Sequence, residues 1–139
     1  MPLDLQALSD ENPLHRILSV KMDRSSDGVC MDSDIGDDYV VDRETGAVHG
    51  GIVATLLDVA CTFALIARTD HDWVTVDMRV DYLRPTRAGK VRLKGEVVRA
   101  GRAIGRSRAE LSDASGTTCA LAMATFAPSA PREGQSGST

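Results

Sequence analysis

The chain has 139 residues, of which 42% are hydrophobic and 26% are charged, and its net charge at pH 7 is −4. This length predicts a single domain that buries a core, and the mild acidity and low aromatic content of 4% argue against nucleic-acid binding. The three cysteines, Cys30, Cys61 and Cys119, lie far apart without a CxxC pair. We therefore expect neither a disulfide scaffold nor a metal site, but free thiols in a reducing cytoplasm.

The first 48 residues predict short elements. Residues 3–18 carry spaced apolar side chains, and Pro13 is suited to the first turn of a short helix capped by Asn12. Two strands are expected at residues 19–24 and 28–35, because turn-forming residues separate them. The start of the chain has no long apolar run, so no signal peptide is expected. Residues 36–48 are polar and predict a loop with one brief strand or turn.

Residues 51–68 form the clearest predicted helix. Apolar residues occupy nearly every face of it, which is typical of a helix buried in a core. Asp58 interrupts the apolar run, and this acid and the short length argue against a membrane span.

Alternation then predicts four strands, at residues 73–84, 90–99, 103–112 and 117–127. In the first of them, one face is predicted to carry Val74, Val76, Met78, Val80 and Tyr82, and the other Thr75, Asp77, Arg79 and Asp81. Short turns suggest that the four strands form an antiparallel meander. The expected fold is α+β, with one domain over residues 1–127 in which the sheet covers the long helix, and a disordered tail over residues 128–139. One sheet layer leaves part of the helix uncovered, so we expect a homo-oligomer.

Two features suggest chemistry. His49-Gly50-Gly51 stands where the loop enters the helix, where free backbone N–H groups and bare glycines can hold a substrate carbonyl oxygen, although a simple tight turn would explain it too. Asp58 is an acid among apolar neighbours, which predicts either a functional carboxylate or a structural acid bonded to a neighbour such as Thr62. Gly50 and Asp58 are separated by roughly 12 Å along a helix, so one carbonyl reaches both only if two helices lie antiparallel across a two-fold axis.

The segments HGGIVATLLDVACTFAL, VTVDMRVDYLRPTRAGKVRLKGEVVRAGR and AELSDASGTTCALAMATF resemble hotdog-fold acyl-CoA thioesterases of the phenylacetate-degradation (PaaI) type. The resemblance implies a long central helix wrapped by a curved antiparallel sheet, and a dimer as the minimal active unit, often paired into a homotetramer. It implies hydrolysis of an acyl-CoA thioester, without a cofactor. Aryl and medium-chain acyl groups both remain open.

The resemblance also implies roles for single residues. The Gly50 N–H would polarise the thioester carbonyl, and Asp58 of the facing subunit would act as nucleophile or general base. Thr75 would place the water or the acid, Thr62 would support Asp58, and His49 would orient the loop. Relatives carry an Asn or Gln six or seven residues before the histidine, where this chain has Asp42-Arg43-Glu44-Thr45. Arg43 is the candidate either to take over the role of the amide or to neutralise Asp58.

Binding of the substrate needs further residues. The phosphates of coenzyme A call for surface arginines, and the candidates are Arg84, Arg87, Arg99, Arg102 and Arg106. Gly51 is a candidate for contact with the substrate, and the acyl pocket is expected beside the helix, lined by some of Leu57, Cys61, Phe63 and Met78. Two alternatives stay open: a hotdog module that binds acyl-CoA without cleaving it, and an enoyl-CoA hydratase or dehydratase.

Overall fold

The computed structural model describes residues 2–130. The predicted tail at residues 128–139 falls mostly outside the described residues. The elements follow in chain order: helices α1 (Leu5–Asp10) and α2 (Pro13–Ile17), strands β1 (Lys21–Arg24) and β2 (Gly28–Ile35), a 3-10 turn (Asp37–Tyr39), strands β3 (Val40–Asp42) and β4 (Ala47–Val48), helix α3 (Gly50–Thr69), and strands β5 (Trp73–Tyr82), β6 (Gly89–Ala100), β7 (Gly105–Asp113) and β8 (Thr118–Pro128).

Within residues 2–130, an antiparallel sheet of six strands packs against α3 in the order β1-β2-β6-β7-β8-β5, and β3 and β4 form a small hairpin apart from it. The expected α+β architecture of a long helix on an antiparallel sheet is therefore confirmed. The core lies between them and contains fully buried side chains of both layers, among them Leu56, Leu57, Leu93 and Phe126.

The predicted meander is wrong at its first connection. β5 pairs with β8 at the far edge of the sheet and not with β6, its neighbour in sequence. The connecting residues 83–88 cannot form a tight hairpin turn because they pass the start of α3: Thr86 is buried there, and its carbonyl accepts a hydrogen bond of 2.8 Å from the Val48 N–H. Non-local pairing of this kind leaves no trace in the alternation of a single strand.

A β-bulge divides β5. The pairing register with β8 shifts between Thr75 and Asp77, so Val76 is the extra residue. The bulge reverses the alternation, and Trp73 and Thr75 before it therefore face α3 on the same side as Met78 and Val80 after it. Val74 is exposed, and its predicted placement on the face of Met78 and Val80 is wrong for this reason.

Helix α3 begins one residue before its predicted start and ends one residue after its predicted end. By length and composition α3 could cross a membrane, but 56% of its apolar 18-residue stretch is buried against the rest of the molecule. The sheet comes close to the helix because Gly95 of β6 has no side chain: a Cβ there would collide with the Ala60 carbonyl oxygen. Buried residues dominate the sheet-facing side, whereas Gly51, Thr55, Asp58 and Thr62 line a face that stays partly open.

The N-terminal helices form a small unit beside α3. Asn12 caps α2 as expected, because its side chain accepts a hydrogen bond from the Leu14 N–H and Pro13 occupies the first turn. Helix α1 before it is an additional element, capped by Asp4. Gln6 joins α1 to the sheet, since its side chain bonds both the Met22 N–H at 2.8 Å and the Val20 carbonyl at 3.0 Å.

Candidate active site

The Asp58 carboxylate lies half-buried in the middle of α3 and is held by one neighbour from the sheet. The Thr75 hydroxyl donates a hydrogen bond of 2.7 Å to Asp58 Oδ1. Among residues 2–130, no Lys, Arg or His forms an ion pair with this carboxylate. A carboxylate with one hydrogen-bond donor and no countercharge keeps lone pairs for a water or a substrate atom.

The bulge in β5 explains why Thr75 reaches Asp58. Without the extra residue Val76, the alternation that turns Met78 and Val80 toward the helix would turn Thr75 away from it. Bulges often re-aim a side chain next to a functional site in this way. The hydrogen bond between Thr75 and Asp58 therefore joins β5 to α3, two elements that were predicted from separate local patterns of the sequence.

A cavity of about 510 Å³ opens directly at Asp58. It lies between α3, the residues that lead into β5, and the α1–α2 unit, which supplies one wall. Its lining is half apolar and half polar. The apolar residues are Leu8, Pro13, Val59, Phe63, Ile66 and Trp73, and the polar residues are Glu11, Asn12, His15, Asp58, Thr62 and Asp72. Of the four residues expected beside an acyl pocket, only Phe63 lines this cavity among the described residues. Cys61 is instead fully buried, and burial raises the pKa of its thiol to about 12, so it stays protonated.

His15 is a cavity residue that the sequence analysis did not single out. Its Nδ1 lies 3.0 Å from the hydroxyl of the buried Ser9, and its ring meets Phe63 edge-on with centroids 6.0 Å apart. Burial lowers the pKa of His15, while a hydrogen bond to the Ser9 backbone and the nearby negative charge of Asp58 act in the opposite direction. The spaced apolar residues of 3–18 indicated a packed helix, but not that it would pack at Asp58.

The start of α3 has one free backbone donor. His49 is the N-cap, and its Nδ1 accepts a hydrogen bond of 2.8 Å from the Gly51 N–H, so the Gly51 amide is already occupied. No residue in the described part of the chain accepts a hydrogen bond from the Gly50 N–H. The Gly50 N–H is an unpaired donor at the positive end of the helix dipole, and it can bind an oxygen that carries negative charge.

The chain does not bring its two functional groups together. Eight residues of α3 separate Gly50 from Asp58, which is about 12 Å along the helix axis. Thr62 lies one turn beyond Asp58 and lines the same cavity, but its hydroxyl donates to the Asp58 backbone carbonyl at 2.7 Å and not to the carboxylate.

The candidate arginines lie on the surface away from this cavity. Arg43 is exposed in the β3–β4 turn, Arg84 follows β5, Arg99 is near the end of β6, and Arg102 lies in the β6–β7 turn. None of them lines the cavity at Asp58. A larger groove of about 780 Å³ runs over the outer face of β2, β6 and β7, and it includes none of the predicted site residues. Within residues 2–130, no cluster of His, Cys, Asp and Glu could hold a metal ion.

Comparison with known sequences identifies relatives. A family model described as the thioesterase superfamily matches residues 45–120, more than half of the chain. The medium/long-chain acyl-CoA thioesterase YigI of Salmonella typhimurium is 32% identical over 94 residues, which cover 57% of this chain and 61% of YigI. A putative esterase of Halobacterium salinarum is 31% identical over 134 residues, which cover 88% of each chain.

Solved structures share the architecture. A protein from Shewanella oneidensis described as related to the thioesterase superfamily has a TM-score of 0.75 and 30% identity, covering 90% of this chain and 95% of that one. The Escherichia coli PaaI protein from the phenylacetic acid degradation operon has a TM-score of 0.79 and 19% identity, covering 89% of each chain. At that identity the likeness to PaaI concerns the fold alone. Together the likenesses confirm the expected hotdog fold.

Proposed function

This chain belongs to the thioesterase superfamily, and on that premise we propose that it hydrolyses an acyl-CoA thioester to a free acid and coenzyme A. The chain spans 61% of the length of YigI, whose name gives medium- and long-chain acyl-CoA as its substrates. The observation that carries the proposal is the Asp58 carboxylate, which has no cationic partner among residues 2–130 and opens onto a cavity beside α3.

A second copy of the chain would complete the site. The partly open face of α3 carries small residues, with Ala54 midway between Gly50 and Asp58. If two such helices cross antiparallel at Ala54, each Gly50 meets Asp58 of the other copy, and small side chains allow the close approach. β5 supports this pairing because, within the described sheet, it is an edge strand with exposed Val74 and Val76. The proposed active unit is therefore a homodimer, with a homotetramer as its further assembly.

The reaction in this dimer needs one donor and one acid. The Gly50 N–H binds the thioester carbonyl oxygen and stabilises the negative charge that develops on it. In one route Asp58 of the facing copy takes a proton from water, the water oxygen bonds to the carbonyl carbon, and the C–S bond breaks as the thiolate takes that proton. In the other route Asp58 itself attacks, releases the thiolate and forms an anhydride that water then cleaves. Both routes give one acid and one thiol for each water consumed.

Substrate binding is assigned to two regions. The cavity of about 510 Å³ is assigned to the acyl group, because it begins at Asp58 and six of its twelve lining residues are apolar. The exposed Arg84, Arg99 and Arg102 are candidates for the phosphates of coenzyme A, and Arg43 for the approach to the reacting centre. Which acyl group fits is left to experiment. A cytoplasmic location accords with the free thiols of Cys30, Cys61 and Cys119.

The test is release of free thiol from a panel of aryl and straight-chain acyl-CoA thioesters, with Asp58→Asn beside the wild type. The amide of Asn keeps an acceptor for the Thr75 hydroxyl but neither attacks nor takes a proton, so we expect turnover to fall by about 10²–10⁴-fold. The matched control is Asp77→Asn, which removes the same charge from an exposed position of β5 and should leave turnover unchanged.

Three outcomes would contradict the proposal in different ways. Full activity of Asp58→Asn would remove this residue from the reaction. Thermal stabilisation by acyl-CoA without any thiol release would favour the non-catalytic binding module. Loss of the conjugated absorbance of an enoyl-CoA without thiol release would favour the hydratase.

A further inference from the structure

Several hydrogen bonds fix the backbone around the free Gly50 N–H. The His49 N–H donates to the Tyr39 carbonyl at 2.8 Å, and the Gly51 N–H donates to His49 Nδ1 at 2.8 Å. The third comes from a distant part of the chain, since the Tyr82 hydroxyl at the end of β5 donates to the Gly50 carbonyl at 2.7 Å. The last two bonds hold the Gly50–Gly51 peptide plane. The His49–Gly50 plane, which contains the Gly50 N–H, is held by the Ile52 N–H, which donates to the His49 carbonyl at 2.9 Å. Together these bonds fix the backbone on both sides of Gly50.

Because residue 50 is a glycine, its backbone needs these hydrogen bonds to stay in one conformation. It has the widest range of backbone angles of any residue, so the direction of its N–H is weakly determined by its own chemistry. A donor that stabilises developing charge is effective only when it already points at the place where the charge appears. The ring of Tyr82 adds contact to the hydrogen bond: a Cβ on Gly50 would lie 3.4 Å from the Tyr82 hydroxyl oxygen and 3.5 Å from two ring carbons.

Packing alone does not account for this tyrosine. Tyr82 is 55% exposed, and the described core cluster does not include it. An exposed aromatic ring at the end of an edge strand contributes little burial, whereas its hydroxyl is committed to one backbone carbonyl of the proposed donor residue.

We propose that Tyr82 is a positioning residue, which holds Gly50 through the hydroxyl so that the Gly50 N–H is aimed at the thioester carbonyl oxygen. The inference rests on the proposed thioesterase function for its catalytic consequence. The hydrogen bond from the Tyr82 hydroxyl to the Gly50 carbonyl is a property of the folded chain, whether or not the chain is a catalyst. The two parts can therefore be measured separately.

The test is Tyr82→Phe, which keeps the ring and removes only the hydroxyl. We expect kcat to fall by about tenfold with KM within about twofold, because a misplaced donor weakens the transition state more than the bound substrate. In ¹⁵N relaxation of the full-length protein, the order parameter of the Gly50 amide should drop below the rigid range of about 0.85. The matched control, Ser115→Ala, removes an exposed hydroxyl that bonds Asp113 at 2.6 Å in the β7–β8 turn, and should change neither quantity.

Each result decides the proposal. An unchanged kcat together with an unchanged Gly50 amide would overturn it. A lower kcat that accompanies a lower melting temperature or a dissociated oligomer would assign Tyr82 a structural role and would also overturn it. If the wild type releases no thiol from any thioester, the proposed function fails, and the Gly50 order parameter still decides whether the Tyr82 hydroxyl holds this amide.

Discussion

The first turn and the middle of α3 hold their functional groups by opposite means. At the first turn the group is a backbone N–H, and the Gly50–Gly51 peptide beside it is held by two side chains: His49 accepts from the Gly51 N–H, and the Tyr82 hydroxyl donates to the Gly50 carbonyl. In the middle the group is the side chain of Asp58, which one hydroxyl from a bulged strand holds at the mouth of a cavity. The helix presents a donor and an acid about 12 Å apart, so in the proposed reaction each of them needs the other from a second copy.

A large loss of activity is expected when the backbone donor at the first turn is removed. Gly50→Pro deletes the N–H and keeps the helix, because proline is tolerated at the first helical position and His49 before it already has an extended ψ of 128°. We expect kcat for thiol release to fall by about 10²–10³-fold, as when an oxyanion donor is lost. Gly50→Ala is the control, since it keeps the N–H and its Cβ meets Tyr82 only at ordinary contact distance. Equal activities of the two variants would remove the Gly50 amide from the mechanism.

A smaller effect is expected where the acid is held. Thr75→Val keeps the shape of the side chain and removes the hydroxyl that lies 2.7 Å from Asp58. We expect kcat to fall by about tenfold, since a carboxylate freed from its partner spends less time in the reactive orientation. Thr75→Ser restores the hydroxyl and should recover most of the loss. If the serine variant is as slow as the valine variant, packing and not the hydrogen bond is what matters at this position.

The smallest effect concerns the wall of the cavity at His15. Burial lowers the pKa of His15 from its ordinary 6.5. As the pH falls below about 6.5, this histidine is therefore protonated more readily in the unfolded chain than in the folded chain, which favours unfolding. This contribution to stability is present above that pH and is lost toward acid. Melting temperatures between pH 8 and pH 5 should therefore fall less steeply for His15→Gln than for the wild type. An equally steep fall in the two proteins would contradict this contribution of His15.

Local patterns predicted the elements of this protein better than their pairing. The bounds of α3 and the cap at Asn12 follow from nearby residues alone. The pairing of β5 and the bulge at Val76 depend on β8, whose paired residues lie 38 to 55 positions further along the chain. Alternation within β5 therefore assigned Thr75 to the wrong face. The same distinction applies to the candidate site. The sequence motif identified Asp58 and Gly50 as candidates, but the cavity wall formed by α1 and α2 and the contact of Tyr82 arise only from tertiary packing.

The central claim, that each site joins Gly50 of one copy to Asp58 of the other, is tested most directly by hybrid dimers. Gly50→Pro and Asp58→Asn chains carry different affinity tags, are co-expressed, and the doubly tagged dimer is isolated and assayed for thiol release. One of its two sites then contains an intact Gly50 and an intact Asp58, so the hybrid should recover about half of the wild-type kcat although each parent homodimer is nearly inactive. A hybrid as inactive as its parents would place both groups of each site on one chain and contradict the account.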